Sequence, residues 1–177
     1  MKIWKAGVNA LVLAFIALLA SACGYSLVGR ASNLPSEIRR IHIQALENRT
    51  QRSQVEQFLA NAISRELVTR QRFTVTQSTA DADAELAGAV TGFNVTPVTF
   101  DDEGRATEYE IAITARMTFR RSGENGAVLW SNEQYVFRQS YEVEVSAAGY
   151  FDQEDSAIEK AAESFAETMV SDLLEGF

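Results

Sequence analysis

Four arginines carry the clearest chemical potential in this sequence. Arg116, Arg120 and Arg121 fall within six residues of one another, and Arg138 follows on the segment expected to pair with theirs. A guanidinium presents a planar fork of donors that matches the oxygens of phosphate and carboxylate groups. In a chain of formal net charge −8 the cluster is a local basic patch. Its other use would be salt bridges to acids on neighbouring strands. Glu108 and Glu110 share one face with Arg116 and Arg120, which reads as a solvated face of mixed charge rather than an acid/base pair. Asp81-Ala82-Asp83 has neither the further oxygen ligands nor the glycine of a calcium loop, and reads as a solvated turn. The single histidine, His42, has no nucleophile in a recognisable setting around it. No nucleophile elbow, phosphate loop or dinucleotide fingerprint is present. One cysteine and one histidine give no basis for a His/Cys zinc site. The expectation is a binding protein with no catalytic residues, no cofactor and no metal.

That cysteine, Cys23, has chemistry of a different kind. Lys2 and Lys5 precede an uncharged stretch from Ala6 to Gly29, within which Leu11 to Ala20 is wholly apolar. The run is shorter than the roughly 20 residues of a transmembrane helix and has the form of a secretory signal peptide. It closes on Leu19-Ala20-Ser21-Ala22-Cys23-Gly24, where small residues let the chain lie extended in a protease site. This resembles a bacterial lipobox, whose cysteine thiol is lipidated and whose new amine is acylated after cleavage. Ala20 stands where such boxes prefer Leu. By the same resemblance Gly24, in place of Asp, favours outer-membrane sorting. The organisation expected is a lipoprotein signal peptide over 1–22, a lipidated tether over 23–36 and a folded domain over 37–177. Cleavage removes two lysines and no acids, so the mature chain is more acidic still and keeps one lysine, Lys160. Acyl chains, not a polybasic patch, must then hold it to the membrane.

The folded part must position the arginines. Arg40 to Gln44 alternates polar and apolar, as a half-buried strand does, and places His42 opposite Ile41 and Ile43. Ser53-x-x-Glu56 has the form of a capping box. Val55, Phe58, Leu59, Ala62, Ile63 and Leu67 then recur at helical spacing, predicting a helix over 54–70 with Arg65 and Arg70 near its end. Phe73 to Thr76 reads as a second strand, and strand, helix, strand in that order implies a parallel pair. Glu85 to Phe100 is a long strand interrupted by glycines at 88 and 92, with Pro97 marking an edge or a break. In the next strand Tyr109, Ile111, Ile113, Ala115, Met117 and Phe119 hold one phase; Glu108, Glu110, Thr114, Arg116, Thr118 and Arg120 hold the other. One face is core and the other polar. Asn125-Gly126 signals a hairpin, and its second strand runs through Trp130 to Phe137 with a break near Asn132. A last helical stripe, from Ile158 to Leu174, predicts a helix over 152–175.

Bulk properties agree. At 177 residues with 46% hydrophobic content, the chain suits one ordinary domain. Its acidity argues against a nucleic-acid partner.

Several segments in sequence order resemble the lipopolysaccharide-assembly lipoprotein family LptE. They are Cys23-Gly24-Tyr25-Ser26-Leu27, Leu34-Pro35, Ile43-Gln44-Ala45-Leu46-Glu47-Asn48-Arg49-Thr50, Ala87-Gly88-Ala89-Val90-Thr91, Arg105-Ala106-Thr107-Glu108-Tyr109, Val128-Leu129-Trp130 and Leu173-Leu174-Glu175-Gly176-Phe177. The resemblance implies an α+β fold of two layers, with two helices on one face of a mixed, mostly antiparallel sheet of four to five strands. It also implies a non-enzymatic outer-membrane lipoprotein that plugs an LptD-type β-barrel, binds lipopolysaccharide (LPS) and assists its delivery to the outer leaflet. Residues Arg116, Arg120, Arg121 and Arg138 are the expected LPS contacts and Cys23 the lipid anchor. Two other readings stand beside this one. One is a different envelope accessory lipoprotein, such as a peptidoglycan-synthase activator or a lipid-transporter auxiliary. The other is a small periplasmic hydrolase, which would need His42 joined to a nucleophile.

Overall fold

The computed structural model describes residues 34–70, 73–143 and 150–175. The expected signal segment, Cys23 and most of the expected tether lie outside them. All described residues belong to one compact unit, Ser32–Phe177. Its elements are β1 (Arg40–Ile43), β2 (Glu47–Asn48), α1 (Val55–Thr69), β3 (Thr74–Thr76), β4 (Ala84–Phe100), β5 (Ala106–Arg121), β6 (Val128–Glu142) and α2 (Tyr150–Glu175), with a 3-10 turn at Thr79–Asp81. The strands form one sheet in the order β3-β1-β4-β5-β6, and the short β2 pairs with β4. The pairs β1–β3, β1–β4 and β2–β4 are parallel, while β4–β5 and β5–β6 are antiparallel. The sheet is therefore mixed, as expected, with the two-residue β2 as the one strand that the sequence does not announce.

The core lies between one sheet face and the two helices. From β5 it takes Ile111, Ile113, Ala115, Met117 and Phe119, all at 1% exposure or less. From α1 it takes Val55, Leu59, Ala62, Ile63 and Leu67. From α2 it takes Ile158, Ala161, Ala162, Phe165, Ala166, Met169, Val170 and Leu173. The 3.6-residue stripes of the helices and the two-residue alternation of β5 thus meet in a single apolar layer. Tyr135 and Phe137 of β6 meet the Phe165 ring edge-on, at centroid distances of 5.2 and 6.1 Å. Leu34 and Ile38 are buried in the same cluster, so the core takes in Leu34 from within the expected tether.

Two local expectations are corrected. Ser53 does not cap α1. The N-cap is Gln54, at φ 68°, with no side-chain cap hydrogen bond. Glu56, the other half of the expected box, instead accepts from Asn48 Nδ2 at 2.7 Å. Asp83 is not a solvated turn residue. Its carboxylate accepts the backbone N–H groups of Arg39 (3.0 Å) and Arg40 (2.8 Å) and the Arg40 guanidinium (2.8 Å). It thereby fastens the start of β1 beside the start of β4.

The arginines of α1 act across helices. Arg65 reaches Glu163 at 3.1 Å and Arg70 reaches Ser171 Oγ at 2.8 Å, both on α2. The hairpin after β5 turns through a longer loop than Asn125-Gly126 alone would make, with Gly123 at φ 112° and its carbonyl accepting Gly126 N–H at 3.1 Å. The break near Asn132 is a bulge, since Ala115 faces Tyr135 while Met117 faces Asn132. Pro97 sits in β4 beyond the last β2 partner, Val90, on a free edge that asks for no N–H.

Candidate functional site

The second face of the sheet carries no helix, and three cross-strand rows organise it. Residues paired across a sheet point to the same side, so the rows follow from register. His42, Glu85 and Arg120 make the first row. In the second, Ala87 pairs with Thr118, and Gln44 lies alongside, its N–H bonded to the Leu86 carbonyl at 2.9 Å. The third row is Glu47, Ala89 and Arg116. Long polar side chains thus stand on β1, β2 and β5, while β4 between them offers only alanine in the second and third rows. The result is a cavity of about 220 Å³ lined by Gln44, Ala45, Glu47, Ala87, Gly88, Arg116 and Thr118.

Glu85 stands in the row next to the cavity. It is buried, at 4% exposure, on the face that carries no helix. Gln44 Nε2 donates to its Oε2 at 2.7 Å and the Arg120 guanidinium at 3.0 Å. A buried carboxylate needs such partners, because an unpaired one is strongly disfavoured. Arg120 is therefore engaged in holding Glu85.

The four arginines separate by what each one touches. Arg121 lies on the same phase as Phe119 and leaves at the strand end, where it pairs with Glu37 at 2.7 Å. That contact holds the Glu37 carboxyl below the usual carboxylate range. Arg138 lies opposite Ala112, on the polar face, with its Nε 3.6 Å from Glu110. Arg120 is bound to Glu85. Arg116 alone of the four makes no ion pair among the described residues, and it lines the cavity. The patch read from sequence is thus one unpaired guanidinium with three ion-paired neighbours.

His42 is half-buried, and its Nδ1 lies 3.0 Å from the Thr76 carbonyl, which can only accept, so Nδ1 carries the proton. Among the described residues its ring bonds no hydroxyl, thiol or carboxylate, and the hydrolase reading finds no support in it. Among the same residues no group of three His, Cys, Asp or Glu could hold a metal ion. No described helix is long and apolar enough to cross a membrane. The sequence reading missed Gln44, Glu47, Glu85 and Thr118 as members of one site. The available signal was the Ala87-Gly88-Ala89 run inside a strand of otherwise larger residues.

A family model described as LptE, lipopolysaccharide-assembly, matches residues 38–173. No curated protein matches the sequence. Among solved structures, a putative lipoprotein from Caulobacter crescentus is 18% identical, with a TM-score of 0.52 over 76% of this chain and 87% of its own. A hypothetical protein from Chlamydia trachomatis is 10% identical, with a TM-score of 0.51 over 79% and 99%. A PelC dodecamer from Paraburkholderia phytofirmans is 14% identical, with a TM-score of 0.50 over 80% and 92%. At these identities the likeness is one of fold.

Proposed function

Since this chain belongs to the LptE family of lipopolysaccharide-assembly proteins, we propose that it is an outer-membrane lipoprotein, anchored through acylated Cys23, that occupies an LptD-type β-barrel and hands LPS to the outer leaflet. In this reading it is not an enzyme. It binds, orients and supports. The observation that carries the proposal is the helix-free face of the sheet. There polar side chains stand in cross-strand rows around an unpaired Arg116. The lumen of a wide barrel is polar, so a protein lodged in it needs an outer surface that can hydrogen-bond. Phosphorylated glycolipid is the ligand that an unpaired guanidinium on an envelope protein fits. Arg120 supports the face through Glu85, Arg138 pairs with Glu110 on it, and Arg121 pairs with Glu37 at the strand end.

The test is purification of the tagged full chain from outer membranes of its native host. Recovery of a stoichiometric LptD-type barrel with bound LPS is the expected result. Recovery of peptidoglycan synthases or an inner-membrane transporter in its place would sink the reading and favour another accessory lipoprotein.

A further inference from the structure

The cavity beside Arg116 has an acidic wall as well as a basic one. Glu47 and Arg116 flank Ala89 in one row, two strand spacings or about 10 Å apart. Alanine puts nothing between them, and the two charges do not meet. Both nitrogens with which Arg49 reaches Glu47 bond the same oxygen, Oε2, at 2.5 and 2.9 Å. The Oε1 atom of that carboxylate takes part in no hydrogen bond among the described residues. The Glu47–Arg49 pair is exposed, and exposed pairs hold their partners weakly. A plain phosphate on Arg116 would face a carboxylate across the cavity. A plain amine on Glu47 would face a guanidinium. A ligand carrying both charges a short span apart meets each wall with the opposite sign. The volume, about 220 Å³, equals on the order of seven water molecules, which is room for a small headgroup. Gln44 and Thr118 offer hydrogen bonds between the two ends.

From this geometry we infer that the cavity is a site for a phosphoethanolamine group, with its phosphate on Arg116 and its primary ammonium on Glu47 Oε1. The inference rests on the reading of Arg116 as a phosphate contact. It adds that Glu47 is the specificity-determining residue. The same group occurs as a phospholipid headgroup and as a decoration on glycolipid phosphates, and either source presents the same two charges.

The experiment titrates the full chain in neutral detergent with O-phosphoethanolamine and with ethyl phosphate, which lacks the amine. The wild type is expected to prefer O-phosphoethanolamine by about three- to fivefold, the scale of one exposed charge pair. Glu47→Gln should abolish the preference and leave ethyl phosphate binding as tight or tighter. Arg116→Gln should weaken both compounds. Circular dichroism checks that each variant folds, and both positions lie on the solvent-facing side. Equal, Arg116-dependent binding of the two compounds by the wild type overturns the phosphoethanolamine site and leaves the phosphate contact standing. Arg116-independent binding, or none, removes the phosphate contact itself. A parallel arm compares LPS with and without phosphoethanolamine, and vesicles of phosphatidylethanolamine with vesicles of phosphatidylglycerol. A Glu47-dependent preference in the first comparison identifies a glycolipid, and in the second a phospholipid. A preference in neither overturns the inference.

Discussion

Asp83 and Arg116 show how differently two charged side chains can be used in one small domain. Asp83 gathers two backbone N–H groups and a guanidinium, and the Arg40 side chain in particular holds its carboxyl well below the usual carboxylate range. A folded-state pKa lower than the unfolded one contributes stability above the unfolded value, near 4, and loses it as pH falls through the folded value. Stability should therefore decline below about pH 5, and Asp83→Asn should flatten part of that decline. At neutral pH the same substitution should cost about 1–2 kcal/mol, because hydrogen bonds to a charged acceptor are weakened where the group is partly exposed. Urea denaturation at pH 7 and pH 3 measures both effects; equal losses at the two pH values would refute the assignment. The arginines give a paired prediction. Arg116→Ala removes a side chain with no ion-pair partner and should change stability by less than about 0.5 kcal/mol while weakening LPS binding. Arg120→Ala leaves Glu85 buried with Gln44 alone and should cost about 1–3 kcal/mol, seen as a lowered urea midpoint. If both variants are equally stable, the division of labour between them is wrong.

At the scale of elements, the alternation in β5 and the stripes of α1 and α2 were legible because each element has one apolar and one polar side, and burial follows that pattern directly. Register was not legible. It decides that Arg116 shares a row with Glu47 and Arg120 with Glu85, and it depends on bulges such as those between Val90 and Gly92 and between Ala115 and Met117. Capping was misread at Ser53 because Asn48, distant in the pattern but near in space, takes Glu56. Asp83 was misread as solvated because its donors lie more than forty residues earlier in the chain. The glycine at 88 could be noticed in the sequence, but its reason could not. A Cβ there would stand 2.5 Å from both the Arg116 carbonyl oxygen and Met117 Sδ, so β5 packs against bare backbone. Gly88→Ala should therefore destabilise by about 1–3 kcal/mol through overpacking. The same push would move Arg116 and blunt ligand binding. Thermal unfolding and LPS titration of this one variant test both effects, and unchanged values for both would show that the strand yields without cost.

At the scale of the whole molecule, the domain and the proposed anchor answer separate physical needs. With 24 acidic against 16 basic residues, the chain has no general electrostatic attraction to an anionic leaflet. No described helix can span a bilayer. In the proposed reading two attachments hold the chain: the acyl chains on Cys23 and the grip of a barrel around the polar face. Each buried methylene contributes about 0.8 kcal/mol, so several chains hold a protein firmly where one would be marginal. The two attachments can be separated genetically. In a strain depleted of the barrel, the wild type should still sediment with membranes and resist a high-salt wash, because its hold is apolar. Cys23→Ala should appear in the soluble fraction of that strain, yet return to membranes when the barrel is restored. Signal processing is altered in the same variant, so a second form with an ordinary secretory signal joined at Gly24 keeps the comparison clean. Membrane retention of that form without the barrel would refute lipid anchoring at Cys23. Its failure to return with the barrel would count against the polar face as the surface that a barrel grips.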